Sequence, residues 1–203
     1  VPSSQGQVDA YLRVIKHLDP DLIVDVGCGV GDVLQRLCGE GLRGHIVGVE
    51  LERASAEKAR RNAPCATVHN MDMVNYQLPA DQRVCLILYE PLFQLEDAAA
   101  LDIYRRFFES VTCSSCTKVD VLYASRASFM LAPRAPMMNE EFFRSLGFSL
   151  HHREAVGAFV SRRQVAHYQL ERRPGHMELG KNIPPKREKG INMPSLPRSQ
   201  HLR

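Results

Sequence analysis

The sequence predicts an α/β fold: a doubly wound, mostly parallel sheet with helices on both faces. Three observations predict it. Strand-like and helix-like segments alternate along residues 1–173. The strand runs at 21–27, 44–50 and 83–90 are apolar and β-branched almost throughout rather than alternating, the pattern of strands buried on both faces. The first of these runs opens directly into a glycine-rich turn, Gly27-Cys28-Gly29-Val30-Gly31, and the turn into a helical pattern. Alternation of this kind gives right-handed crossovers and a sheet covered on both sides.

The elements follow in order. A helix precedes the first strand, "DLIVDVG". "GDVLQRLCGEGL" has helical spacing and ends at glycine. "GHIVGVE" is a second buried strand, and "ERASAEKARRN" is a helix rich in Ala, Glu, Lys and Arg, stopped at Asn62, Ala63 and Pro64. "CATVHN" is a short third strand, and "RVCLILYE", the most apolar stretch, belongs at the sheet centre. "DAAALDIYRRFFESV" places Leu101, Tyr104, Phe108 and Val111 on one helical face. "KVDVLYA" is a fifth strand and "NEEFFRSLG" a short helix with a glycine stop. "FSLHHRE" and "QVAHYQLER" are half-polar, which suits two strands near a sheet edge, and adjacent His151 and His152 should point to opposite faces.

Composition excludes several classes. The chain has 203 residues and a formal net charge of +3, but residues 174–203 carry +4 of it and the remainder is −1. A nearly neutral body lacks the basic face of a nucleic-acid-coating protein. The last thirty residues hold five prolines, no aromatic residue and no apolar period, so 174–203 is expected to be a basic, disordered tail. No apolar run is long enough for a membrane helix, and the first residues lack the basic-then-apolar order of a signal peptide. Four of the six cysteines sit in apolar or tight-turn segments, which reads as small buried hydrophobes of an intracellular, reducing compartment. Cys113-x-x-Cys116 ends a helical pattern instead of starting one and has no second ligand pair, so neither a zinc site nor a redox motif is expected.

In a doubly wound sheet, ligands bind beyond the carboxyl ends of the strands, and acids recur there. The glycine turn fails the dinucleotide pattern, because Asp32 stands where the third glycine belongs and would repel a pyrophosphate. It also lacks the Lys-Ser or Lys-Thr of a phosphate loop. The backbone is thus bare for a ligand without phosphate. Glu50 ends the second strand, 23 residues after Gly27, placed to accept both hydroxyls of a ribose, with Leu51 beside it. After the third strand, Asp72 can accept from the exocyclic amine of a purine, with Met71 and Met73 offering soft contact to its face. Asp25 precedes the glycines and suits a cationic group. A nucleoside with a positive, amino-acid-like extension satisfies all four features.

On "VDVGCGVGD", "GVELE" and "NMDM", the sequence resembles the class I S-adenosylmethionine-dependent methyltransferases over residues 1–173. The resemblance implies a Rossmann-like, seven-stranded sheet ending in a hairpin with the last strand antiparallel, and S-adenosyl-L-methionine as cofactor. It implies that Gly27, Cys28, Gly29 and Gly31 face the methionine portion, that Asp25 supports its amino group, that Glu50 and Leu51 lie at the ribose, and that Asp72 and Met73 lie at the adenine. It points to no metal.

The family sets its chemistry after the fourth strand, here "LILYEPLF", which makes Tyr89 and Glu90 the candidate catalytic residues. Members that methylate base or amide nitrogens show Asn or Asp, then Pro-Pro and an aromatic. Glu90-Pro91-Leu92-Phe93 departs from that at two positions and looks closer to a branch carrying Tyr-Asn-Pro-Phe. "VPSS" and "VDVGCGVGDVLQ" are similar to segments of seven-stranded protein-lysine methyltransferases. The expectation is methyl transfer to a protein side chain such as lysine, with a protein or peptide as partner rather than a membrane or nucleic acid. The alternatives are a small-molecule acceptor and a cofactor-binding pseudoenzyme. The loop at 125–141, with Phe129, Met130, Met137 and Met138, reads as a lid or substrate wall.

Overall fold

Gly48 shows how tightly the first two strands and their helices are fitted. A Cβ there would lie 2.6 Å from Leu34 Cδ1 and 2.8 Å from Cys28 Sγ, so only glycine leaves room for the glycine turn to fold back over the second strand. The computed structural model describes residues 5–89, 97–126, 138–156 and 163–170.

Seven strands form one sheet: β1 Leu22–Val26, β2 His45–Glu50, β3 Thr67–Asn70, β4 Arg83–Tyr89, β5 Lys118–Arg126, β6 Phe148–Val156 and β7 Arg163–Leu170. Their order is β3-β2-β1-β4-β5-β7-β6. β1 runs parallel to β2 and β4, and β4 to β5, while β7 is antiparallel to both β5 and β6. The seven-stranded Rossmann-like sheet with an antiparallel last strand is therefore present. The two half-polar strands lie towards an edge, as expected: β6 is the edge strand and β7 its neighbour, between β5 and β6. Inside the sheet, His167 of β7 pairs with buried Asp120 at 2.8 Å. One expectation is corrected, at the histidines of β6. The register shifts between Leu150 and His152, so strict alternation fails there, and both His151 and His152 are exposed.

The helices divide between the two faces. α1 (Gln5–Leu18), α2 (Asp32–Cys38) and α3 (Arg53–Asn62) cover one face with an aliphatic core that includes Val8, Leu12, Ile15, Ile23, Leu34 and Ile87. Val8, Leu12 and Ile15 recur at helical spacing along α1, which fixes its buried side. α4 (Asp97–Thr112) and α5 (Glu140–Ser145) cover the other face, where the core is aromatic. Phe108 lies at its centre, with ring centroids 5.3 Å from Phe107, 6.1 Å from Phe142, 5.3 Å from Phe143 and 5.5 Å from Phe148, all edge-on. Phe143 in turn stacks on Tyr168 of β7 at 4.0 Å, tying the interior antiparallel strand to α5.

The cysteines are not all free. Cys38 and Cys65 form a disulfide, whereas Cys28, Cys85, Cys113 and Cys116 are free. The bridge departs from the expectation of reduced cysteines, because the ends of α2 and α3 meet in space. Cys113 and Cys116 of the C-x-x-C carry no disulfide.

Truncation of Phe108 tests the aromatic core. Phe108→Ala should lower unfolding free energy by about 3–5 kcal/mol in urea titrations, with Phe108→Leu costing markedly less. Equal, small losses for both would mean the rings do not form one packed cluster.

Candidate cofactor site

β1 neighbours β2 on one side and β4 on the other, so the chain crosses over in opposite directions from β1 and leaves a crevice at its carboxyl end. The glycine turn fills the floor of that crevice. The amides of Gly27 and Cys28 both donate to the Val49 carbonyl, at 2.8 and 3.1 Å, and the Gly31 amide donates to the Cys28 carbonyl at 3.0 Å. Gly27, Gly29 and Gly31 have φ of +73°, +54° and +87°, a region side chains rarely adopt. Their surroundings separate them. A Cβ at Gly27 or Gly29 would meet nothing within 4 Å, whereas at Gly31 it would lie 3.0 Å from Ala59 of α3. Two glycines therefore open onto free space, and the third lets a helix approach.

The Glu50 carboxylate joins the turn to the end of β2. Oε2 accepts from the Gly29 amide at 2.8 Å and Oε1 from the Glu52 amide at 2.8 Å. Glu50 thus has a structural duty in addition to any ligand it accepts. Asp25, on β1, is 5% exposed, and its Oδ2 is buried with no hydrogen-bond partner among the described residues. Burial, and secondarily the charge of Glu50, raises its carboxyl to about 7. A buried, unpaired carboxylate beside a second carboxylate is a place that a cation would relieve.

The remaining expected residues fall on the same rim, with different surroundings. Leu51 is 71% exposed although it is a large apolar side chain at a strand end. Asp72 caps the single 3₁₀ turn Met73–Asn75, with Oδ1 accepting from the Val74 amide at 3.1 Å, which leaves its other oxygen for a ligand. Met71 and Met73 are half-buried against the aromatic core. Cys28 contributes through its backbone, since its side chain is buried over Gly48 and burial pushes its thiol well above the usual range. Tyr89 ends β4, half-buried against the aliphatic core, one strand from Asp25. Glu90 lies outside the described residues, as do most of the 125–141 loop and the whole 174–203 segment.

Two residues were not anticipated as supports of the site. Asn70 Nδ2 donates to the carbonyls of Glu50 and Leu51, at 3.0 and 2.8 Å, and holds the turn that presents both. Asn62 Nδ2 donates to the Val30 carbonyl at 2.9 Å and ties the glycine turn to α3. The signal for each was an amide side chain at the end of an element, read only as a boundary.

Asp25 makes a pH test. Between about pH 4 and 7 the folded chain keeps a proton on Asp25 that the unfolded chain has released, so this group makes stability fall as pH rises across that window and level off above it. Urea titrations at several pH values should show wild type losing roughly 1 kcal/mol per pH unit relative to Asp25→Asn within the window. Parallel profiles would place the Asp25 carboxyl in its ordinary range.

Residues 23–113, which contain every one of these positions, match the family model described as a methyltransferase domain. No curated protein matches the sequence. Among solved structures, magnesium protoporphyrin IX methyltransferase from Synechocystis PCC 6803 with bound SAM is similar at 15% identity and a TM-score of 0.61, over 81% of this chain and 78% of that one. The methyltransferase domain of bacterial CtHen1 aligns at 15% identity and a TM-score of 0.62, over 82% and 98%. The N-methyltransferase NodS from Bradyrhizobium japonicum WM9 aligns at 11% identity and 0.62, over 82% and 95%. Residues 23–113 are thus similar to a methyltransferase domain, and the chain has the fold of the class I S-adenosylmethionine-dependent methyltransferases.

Proposed function

We propose that this rim binds S-adenosyl-L-methionine and that the chain methylates a nucleophile on a protein or peptide, a lysine amine being the acceptor that suits the site. One observation carries the cofactor reading: two bare glycines open onto free space two residues or more along the chain from a buried carboxylate oxygen that lacks a partner. Asp25 takes the ammonium of the methionine portion, and Gly27, Cys28 and Gly29 offer it backbone. Glu50 accepts from the ribose hydroxyls while keeping its bond to the turn. Leu51 supplies exposed apolar surface beside the ribose, with Met73 at the face of the adenine and the second oxygen of Asp72 at its amine.

The cofactor supplies a methyl group on a positive sulfur, which a neutral nucleophile displaces so that the bonding electrons stay on sulfur. The chain must align that nucleophile, exclude water and take up or direct a proton. Tyr89, which ends β4 beside β1, and Glu90, the next residue in sequence, are the residues proposed for the acceptor side, Glu90 to orient an amine or accept its proton. Support for a large acceptor comes from loop length. In sequence, the connections after β4, β5 and β6 span only residues 90–96, 127–139 and 157–162, each too short for a separate cap domain.

A small-molecule acceptor is the second reading, favoured by a cavity of about 280 Å³. It lies between the ligand end of β5, the start of β7 and the beginning of α5, with Tyr123, Ser125, Met138, Arg153 and Tyr168 in its wall. One similar structure, the protoporphyrin enzyme, has a small-molecule acceptor in its name.

Titration calorimetry should give saturable binding of S-adenosylmethionine and of its demethylated product below about 1 mM, with NAD weaker than both. No binding of either would overturn the reading. Incubation of cell extract with label-bearing cofactor should mark proteins rather than small metabolites; label in the small-molecule fraction alone would select the second reading. On the acceptor so found, Glu90→Gln should lower turnover by about 10²–10⁴ while leaving cofactor affinity within a few fold. Normal turnover in that variant would remove Glu90 from the chemistry.

A further inference from the structure

α2 has only seven residues, from Asp32 to Cys38, too short to be stable by itself. Its first end is the cofactor turn, and its last end is Cys38, joined to Cys65 with a Cα–Cα distance of 5.9 Å. Cys65 follows α3 by three residues. α3 also holds the turn at the opposite end of α2, through Ala59 against Gly31 and Asn62 on the Val30 carbonyl. The short helix is therefore fastened to α3 at both ends, by packing and a hydrogen bond at the glycines and by sulfur at the far end.

The bridge is open to small reagents. Cys65 is exposed and Cys38 half-buried. The other thiols differ: Cys28, Cys85 and Cys116 are buried, and burial pushes the thiols of Cys28 and Cys85 far up, away from the reactive thiolate. Cys113 is exposed, but its neighbour in the C-x-x-C is not. Thiol–disulfide chemistry is thus concentrated at the one pair that braces the cofactor turn.

We infer that Cys38 and Cys65 form a redox switch on cofactor binding, the bridged form holding the glycine turn ready and the dithiol form releasing it. Closing the bridge removes two protons and two electrons from the two thiols. A low-molecular-weight disulfide takes the electrons through a mixed disulfide and leaves as two thiols; a thiol reductant runs the exchange backwards. In a reducing compartment, the one expected from the sequence, a bond of this kind has meaning only as a signal. The inference rests on the proposed cofactor site.

The full chain is equilibrated in buffers spanning reduced to oxidised glutathione, and alkylation with mass spectrometry reports the state of each cysteine. In each state, amide hydrogen exchange is followed over residues 27–38, and affinity for S-adenosylhomocysteine is measured by calorimetry. Opening the bridge should speed exchange in the turn and α2 and weaken affinity by about 5- to 100-fold, reversibly. Cys38→Ser and Cys65→Ser should both reproduce the reduced state, and Cys113→Ser should behave as wild type. Equal exchange and equal affinity in the two states would overturn the switch, as would Cys38 and Cys65 remaining free under fully oxidised glutathione. If the product binds in neither state, the cofactor reading fails separately, and the switch on cofactor binding falls with it whatever the exchange shows.

Discussion

The carboxylate of Glu50 is the constraint from which the ligand end of this molecule is built. By accepting the amides of Gly29 and Glu52, it joins a turn leaving one strand to a turn leaving its neighbour. The rest follows from that junction. The Val49 carbonyl receives two amides of the glycine turn, Asn70 holds the carbonyls on either side of Leu51, and the turn is drawn close enough that Gly48 must lack a side chain. Burial raises the carboxyl of Asp25, and the negative charge that this placement brings near it adds to the effect, so the crevice favours positive charge. One side chain thus shapes the floor of the site and sets its electrostatic preference.

The two ends of the sheet treat their acids differently. At the end away from the crevice, Asp21 is held by Arg83, with Arg83 Nη2 2.8 Å from Oδ1 and the Arg83 amide 2.9 Å from Oδ2, and these bonds lower its carboxyl to about 2. Asp120, also near that end, has His167 at 2.8 Å and Lys118 at 3.4 Å. At the ligand end, Asp25 has a carboxylate for a neighbour and an oxygen with no partner among the described residues. The contrast is what separates a structural acid from a site acid here: only the structural acids have had their charge answered within the fold.

The parallel strands were legible because burial on both faces leaves an uninterrupted apolar run, and the site acids were legible because they stand where those runs stop. The half-polar β6 and β7 were legible as lying towards a sheet edge, but not the partner that lets His167 sit inside: Asp120 is 47 residues away in sequence. The bulge in β6 left no local mark, since His151 and His152 fit an alternating strand equally well. The pairing of Cys38 with Cys65 depends on how α2 packs on α3, which spacing along the chain does not encode. Gly31 was grouped with Gly27 and Gly29 by motif, although its bareness serves a helix contact. Each miss is a relation between distant residues that no local pattern carries.

The interior position of β7 bears on how the chain is made. Of the seven described strands, β7 is the last to leave the ribosome, yet it is hydrogen-bonded along both sides, to β5 and to β6. Until it emerges, β5 presents an open, strongly apolar edge, and β6 has no strand to join. The glycine turn and its neighbouring strands can assemble while synthesis continues, but the sheet closes only from its carboxyl-terminal strand inwards. A nascent chain therefore carries a sticky edge for the time needed to translate residues 127–170, the interval in which a holding chaperone has most to offer it.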